Sequence, residues 1–275
     1  MRIRVSRVFL MTFMTLASFI TIYPMAWVIL QSFKTETEFL MSIWSLPSGI
    51  NLDGYYNILF QQNLAQNFMN SVRVTIVTTV YNVFLISLGG YAFSKLRFKF
   101  KEFFFYFFII NLMIPAPILL LPMFLQVHRM GLINTLPALV LPYFQGMAPM
   151  GLILCRSYMS DIPNELSESA RVDGCSPVGI YAKIIIPIAR PILATLAILS
   201  AMGAWNEFNW ALVSLTRTRF FTLPVRISAL VEMGLGLGYV PLFAALTLSA
   251  MVIILIFFAM QRHFIDSITA GAVKG

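Results

Sequence analysis

The chain has 275 residues, of which 59% are hydrophobic and 11% charged, with a formal net charge of +8. A soluble domain averages about 25% charged residues, and a soluble core cannot absorb this much apolar surface, so the composition excludes an ordinary soluble protein. The positive charges gather at the ends of apolar runs, which fits a membrane topology and not nucleic-acid binding.

Arg2, Arg4 and Arg7 precede an apolar run over residues 8–30. That run is too long for a signal peptide and lacks an A-x-A cleavage site, so it reads as an uncleaved span with its N-terminus inside. Residues 31–71 are polar, and Glu36, Glu38, Pro47, Gly49 and Gly54 mark loops and turns. A second span is expected over 72–94, closed by Lys95, Arg97, Lys99 and Lys101. A third, over 103–125, contains Pro115, Pro117 and Pro122, which kink a membrane helix without forbidding it. A fourth covers 136–154. A polar segment follows over 156–191, then a fifth span over 192–215, an outer loop over 216–239 and a sixth span over 240–260. Residues 261–275 form a polar tail. Thirteen of the 19 Lys and Arg fall in the inner segments, five in the outer loops, and Arg73 at a boundary. This bias predicts a single all-α membrane domain, residues 1–275, with six spans and both termini cytoplasmic.

The segment 156–191 is the longest clearly polar interruption, and its chemistry reads as helix, hinge, helix. Pro163 suits the first position of a helix. Gly174 suits the left-handed residue after a helix end. Ser176 and Pro177 read as N-cap and N1 of a second helix containing Lys183, which Pro187 and Pro191 bend or close. Cys155 and Cys175 fall at or in this inner segment, where a structural disulfide is not expected, and their spacing matches no zinc pattern.

Glu168, Ser169 and Ala170, then Asp173 and Gly174, then Ile184 and Pro187 resemble the EAA loop of ABC-importer membrane subunits, with Ser169 in place of the first Ala. The resemblance implies a type I importer permease whose cytoplasmic coupling helix docks on an ATPase subunit. The coupling residues would be Glu165, Glu168, Ser169, Ala170, Arg171, Asp173 and Gly174, with Glu168 pairing a base on the ATPase and Gly174 forming the bend. The tail Thr269, Ala270, Gly271, Ala272, Val273, Lys274 and Gly275 is similar to the C-terminus of MalG-type carbohydrate permeases. Asn70 and Ser71, the run Gly90, Tyr91, Ala92 and Phe93, and the run Trp205, Asn206, Glu207 and Phe208 also follow that family's pattern. The implied partners are a second, MalF-like permease, an ATPase dimer holding ATP and magnesium, an extracytoplasmic sugar-binding protein, membrane lipid and a sugar, with no nucleic acid among them. The implied location is a bacterial or archaeal plasma membrane. By the same resemblance the tail reaches between the ATPase subunits. Alternatively it is a frayed terminus.

Two further stretches stay open between readings. Glu207 falls inside the predicted fifth span, where an ionised side chain needs a partner, water or a cavity. On a continuous helix Asn206 and Asn209 share a face, and Trp205 neighbours Asn209. Trp205, Asn206, Glu207 and Asn209 therefore line a translocation path or fix the bundle by interhelical hydrogen bonds. In the outer loop, Gly234, Leu235, Gly236, Leu237 and Gly238 either contact the binding protein, as the position of a loop in maltose importers implies, or form a turn before the sixth span.

No P-loop is present. The nearest stretch begins at Gly89 and has Ser94 where a second Gly is required before Lys95. No H-E-x-x-H or G-x-S-x-G occurs, so no catalytic site, metal or cofactor is expected on the chain itself. The competing readings are an ion-coupled secondary carrier, which would need its own mid-membrane coupling acids, and an ABC importer subunit for a substrate other than sugar.

Overall fold

The computed structural model describes residues 2–232 and 237–272, with side chains over 9–232 and 237–258. No strand occurs among the described residues. The helices are α1 (Arg2–Gln31), α2 (Glu36–Met41), α3 (Asp53–Tyr56), α4 (Leu64–Lys95), α5 (Lys101–Ile109), α6 (Ala116–Arg129), α7 (Leu136–Ser160), α8 (Asn164–Val172), α9 (Pro177–Ile180), α10 (Ile186–Ile188), α11 (Arg190–Asn206), α12 (Asn209–Ser214), α13 (Leu223–Glu232) and α14 (Tyr239–Ala272). Short π-helical turns follow α3 and α9.

Among the described residues, four stretches are long and apolar enough to cross a membrane: Phe9–Gln31, Leu64–Lys95, Leu136–Ser160 and Tyr239–Phe258. Two further apolar pairs are sharply bent. Lys101–Met113 meets Ala116–Arg129 at 109°, and Pro177–Ile188 meets Arg190–Asn206 at 81°. The expected third span is therefore broken. Ile114 precedes Pro115 and is extended (φ −93°, ψ 115°), because a following proline drives a residue out of the helical region. The expected fifth span also ends early, at Asn206 instead of residue 215.

The chain divides into two compact units, residues 1–66 with 226–252, and residues 67–225 with 253–275. In the first unit, α1 is exposed over residues 9–25, and packing contacts gather at its C-terminal end. The Trp27 ring packs edge-on against Phe243 (5.4 Å) and Phe39 (6.4 Å). Lys34 is fully buried and donates to the Ser42 carbonyl (2.9 Å) and Ser45 Oγ (3.1 Å). The Ser48 N–H donates to Glu38 (2.6 Å) and holds that exposed carboxyl below the usual carboxylate range. Glu36 accepts from the N–H groups of Tyr239 (2.8 Å) and Val240 (3.0 Å), satisfying the otherwise orphaned start of α14. Gly238 has φ +85°, and a Cβ there would stand 2.8 Å from Glu36 Oε2, so both conformation and space require glycine. Gly234, Leu235 and Gly236 lie outside the described residues.

In the second unit, α4 and α7 approach through glycines. A Cβ on Gly89 would meet Leu152 at 2.6 Å, one on Gly90 would meet Cys155 Sγ at 2.5 Å, and one on Gly151 would meet Ile86 at 2.7 Å. The helix α4 begins eight residues before the expected start of the second span. Its extra turns are polar because their side chains hold backbone elsewhere. Asn67 donates to the carbonyls of Thr218 (2.8 Å) and Phe221 (3.0 Å), and Ser71 Oγ accepts from Leu223 N–H (2.7 Å). The outer stretch 216–239, expected as loop, accordingly contains an ordered 3₁₀ turn and α13. At the other end of the chain, α14 runs without a break into the expected tail, so Thr269, Ala270, Gly271 and Ala272 are helical, while Val273, Lys274 and Gly275 lie outside the described residues.

Candidate functional site

The polar segment folds as a knuckle built on α7. That helix continues to Ser160, so the first residues assigned to the polar segment belong to its last turns. Pro163 stands one position before α8, with extended backbone, and not in the helix's first turn. At the C-terminus Gly174 takes φ +82°, which lets the Cys175 N–H reach back to the Ala170 carbonyl (2.9 Å). Ser176 then caps α9, its Oγ accepting from Gly179 N–H at 3.1 Å. The helix–Gly–helix expectation holds, except that Lys183 lies in a π turn, Tyr181–Ile185.

The amphipathic α8 sorts the expected coupling residues by face. Glu165, Glu168, Ser169, Arg171, Asp173 and Gly174 are exposed. Ala170, expected among them on the docking surface, is turned inward and 6% exposed. It packs in a core with Ile162, Ile180, Ile185, Tyr91, Cys155 and Met159. Ser167, one turn earlier, is also buried. Small residues at 167 and 170 are needed because a larger side chain would lift α8 off this core.

Side-chain bonds fasten the knuckle to α4. Tyr91 donates to the Pro177 carbonyl (3.1 Å), Ser87 and Tyr181 share a hydrogen bond (2.7 Å), and Lys95 donates to Asn164 Oδ1 (2.9 Å) and to the Ile162 carbonyl. On the neighbouring side, Arg156 of α7 makes a bidentate pair with Glu102 of α5 (2.6 and 2.9 Å) and stacks over the Phe105 ring at 4.0 Å.

A second site lies in the same unit. A cavity of 770 Å³ is walled by α4, the α5–α6 elbow, α7 and the α11–α12 junction. Glu207 is at that junction, in extended conformation (φ −68°, ψ 124°), between two helices and not inside one. Its carboxylate accepts from the N–H groups of Trp210 (2.7 Å) and Ala211 (3.0 Å) and from Tyr143 Oη (2.7 Å). It thus caps α12 and ties it to α7, while the Trp210 indole donates to the Ala138 carbonyl (2.7 Å).

The break overturns the shared helix face expected for Asn206 and Asn209, and the Trp205–Asn209 proximity along one helix. Glu207 and Asn209 line the cavity, whereas Trp205 and Asn206 are not among its lining residues. Trp205 is buried against Phe68, ring centroids 5.7 Å apart, and Asn206 donates to its own helix at the Met202 carbonyl (2.9 Å). Sequence reasoning did not find Thr78, Asn82, Tyr143 or Ser200 in the wall. The available signal was the run of polar residues at helical spacing in α4.

A family profile described as a binding-protein-dependent transport system inner membrane component matches residues 83–269. The arabinooligosaccharides transport system permease protein AraQ of Halalkalibacterium halodurans is 37% identical over 262 residues, 94% of this chain and 93% of that protein. The galactooligosaccharides transport system permease protein GanQ of Bacillus subtilis is 30% identical over 259 residues, 93% of this chain and 91% of that protein. Among solved structures, a bacterial ABC transporter involved in the import of the acidic polysaccharide alginate has the same fold. Its TM-score is 0.83 at 22% identity, covering 95% of this chain and 97% of that one. The profile takes in the whole knuckle and the α7, α11 and α12 walls of the cavity, and the chain belongs to the family of binding-protein-dependent transport system inner membrane components.

Proposed function

We propose that this chain is one of two membrane-spanning permease subunits of an ATP-driven importer that carries an oligosaccharide delivered by an extracytoplasmic binding protein. The relatives named for arabino- and galactooligosaccharide transport support the substrate class. The chain sits in a bacterial or archaeal plasma membrane. The bent pair Lys101–Met113 and Ala116–Arg129 counts as one span and α11, after the knuckle, as another, which gives six with the four long helices, and the Lys and Arg bias puts both termini in the cytoplasm. ATP and magnesium are held by a separate ATPase dimer. The second permease completes the translocation path that Glu207 and Asn209 line on this side. Thr269 to Gly275 contact the ATPase dimer, and residues 234–238 face the binding protein.

The observation that carries this reading is α8. It presents Glu165, Glu168 and Arg171 outward while Ser167 and Ala170 anchor it to the bundle core. A polar helix standing off a membrane bundle on a packed base suits a docking element that transmits force. Broken helices are also found in secondary carriers. Glu207, however, spends its carboxylate on three hydrogen bonds within the fold, which leaves it poorly placed as an ion-coupling acid.

ATP binding then biases a two-state element through the knuckle, which is the physical content of the coupling. Glu168→Ala should leave the complex in the membrane and reduce sugar uptake at least tenfold. The measurement is uptake per assembled complex, with ATPase retention scored by co-purification. Normal docking and uptake in that variant would remove the coupling assignment.

A further inference from the structure

The helix α4 carries an unusual polar face. Thr75, Thr78, Thr79 and Asn82 stand at i, i+3, i+4 and i+7, so they form one continuous strip. Thr75, Thr78 and Asn82 are at most 7% exposed. The hydroxyl oxygens of all three threonines and Oδ1 of Asn82 are buried without a hydrogen-bond partner among the described residues.

Threonine in a helix often settles its hydroxyl on the carbonyl one turn back, and three threonines of this chain do so, while Thr247 of α14 does not. Thr15 bonds the Met11 carbonyl (2.9 Å), Thr21 the Ala17 carbonyl (2.8 Å) and Thr195 the Pro191 carbonyl (3.2 Å). The three α4 threonines do not. Asn82 has its amide fixed by a hydrogen bond to Ser200 Oγ on α11 (2.9 Å), which leaves its carbonyl oxygen aimed with nothing to accept from. Four polar groups on one face of a membrane helix thus have no partner among the described residues of this chain, and a buried donor or acceptor left unpaired costs free energy.

The strip borders the cavity, with Thr78, Asn82 and Ser200 in its wall. The volume of 770 Å³ lies within the range of about 300–1,000 Å³ typical of small-molecule sites. The strip is uncharged, and its three hydroxyls can each donate or accept while Asn82 Oδ1 accepts, which suits a neutral polyhydroxyl ligand and neither a metal ion nor a charged solute.

We propose that Thr75, Thr78, Thr79 and Asn82 form a saccharide-contact strip on this subunit, closed off by α11 in the state described and uncovered when α11 withdraws during transport. The inference rests on the importer reading above and adds a substrate site to it. Opening the Asn82–Ser200 contact frees the Asn82 amide as well, so the strip gains one donor as it is exposed. The sugar hydroxyls then satisfy groups that the closed state leaves unpaired. The strip favours the open state only when sugar is present.

The test uses the complete complex of this chain, its partner permease, the ATPase dimer and the binding protein. Thr78→Cys is introduced with Cys155 and Cys175 replaced by alanine, and is exposed to a small methanethiosulfonate reagent. Labelling is expected to be at least tenfold faster under ATP turnover than in the resting complex. It should be slowed at least threefold by whichever of maltotriose, arabinotriose or galactotriose the wild type imports. In parallel, Thr75→Val, Thr78→Val and Thr79→Val are combined, an isosteric change that removes the hydroxyls. The combined variant should assemble normally, melt no lower than wild type, and take up that sugar at least fivefold less efficiently through a raised KM.

An interhelical glue predicts the opposite pair of signs, a lower melting temperature with unchanged uptake per complex, and that result would overturn the strip. So would a Thr78→Cys that stays unlabelled in every state, or labelling that sugar does not slow. A wild-type complex that imports no saccharide at all refutes the importer reading before any variant is made, and the labelling rate still decides whether the strip opens.

Discussion

Glu207 shows how one side chain fixes the geometry of a site. Its two oxygens take three donors, two from the first turn of α12 and one from Tyr143 of α7. Each bond is charge-assisted, and removing the carboxylate strands a hydroxyl and two backbone N–H groups at once. Glu207→Ala should therefore destabilise the bundle by about 2–4 kcal/mol. Glu207→Gln should recover only part of this, because its NH₂ group faces donors. Thermal unfolding of the purified complex, read as the ordering wild type above Gln above Ala, checks it. Composition singled out Glu207 as the acid that needed a partner, but not its surroundings. No Pro or Gly marks the break at 207–208, so the stretch reads as continuous helix. The missed cue was a carboxylate three residues before Trp210, the spacing by which an acid caps a new helix start.

At the scale of elements, α4 and α7 pack through residues that have no side chain to spare. Gly90→Ala should cost about 1–3 kcal/mol by driving a methyl into Cys155, whose Sγ and Cβ would lie at 2.5 and 2.7 Å. Adding Cys155→Ala should return part of that loss. A double-mutant cycle in melting temperature measures the coupling, and strict additivity would show that the contact does not carry load. The long spans were legible because their apolar runs exceed what a soluble helix needs. The break before Pro115 was not, since hydropathy stays high across it and does not distinguish a kink from a break, whereas the bend at Ala189 falls between Pro187 and Pro191, where a helix was expected to bend or close. Similarly, Asn67, Asn70 and Ser71 look like loop residues by polarity, yet they sit on α4 and hold distant backbone. Polarity reports what a side chain must bond, not whether its backbone is helical.

At the scale of the molecule, the positive-inside bias predicts that the knuckle faces the cytoplasm. The knuckle's base has a consequence for energy conversion. Tyr91 bonded to Pro177 and Ser87 bonded to Tyr181 pin the second half of the knuckle to α4, so it is a stiff body rather than a tethered one. A stiff coupling fixes stoichiometry, because each nucleotide cycle moves the helices through the same stroke. Loosening the mount without touching the docking face should let strokes go to waste. Tyr91→Phe combined with Ser87→Ala should raise the ATP hydrolysed per sugar imported by about two- to fivefold while leaving the ATPase bound, a ratio read from parallel hydrolysis and uptake in proteoliposomes. An unchanged ratio would place the stiffness elsewhere. If the knuckle carries the nucleotide cycle as proposed above, the two tyrosines set the gearing of the transporter, and its fuel economy is decided by hydrogen bonds that touch neither nucleotide nor sugar.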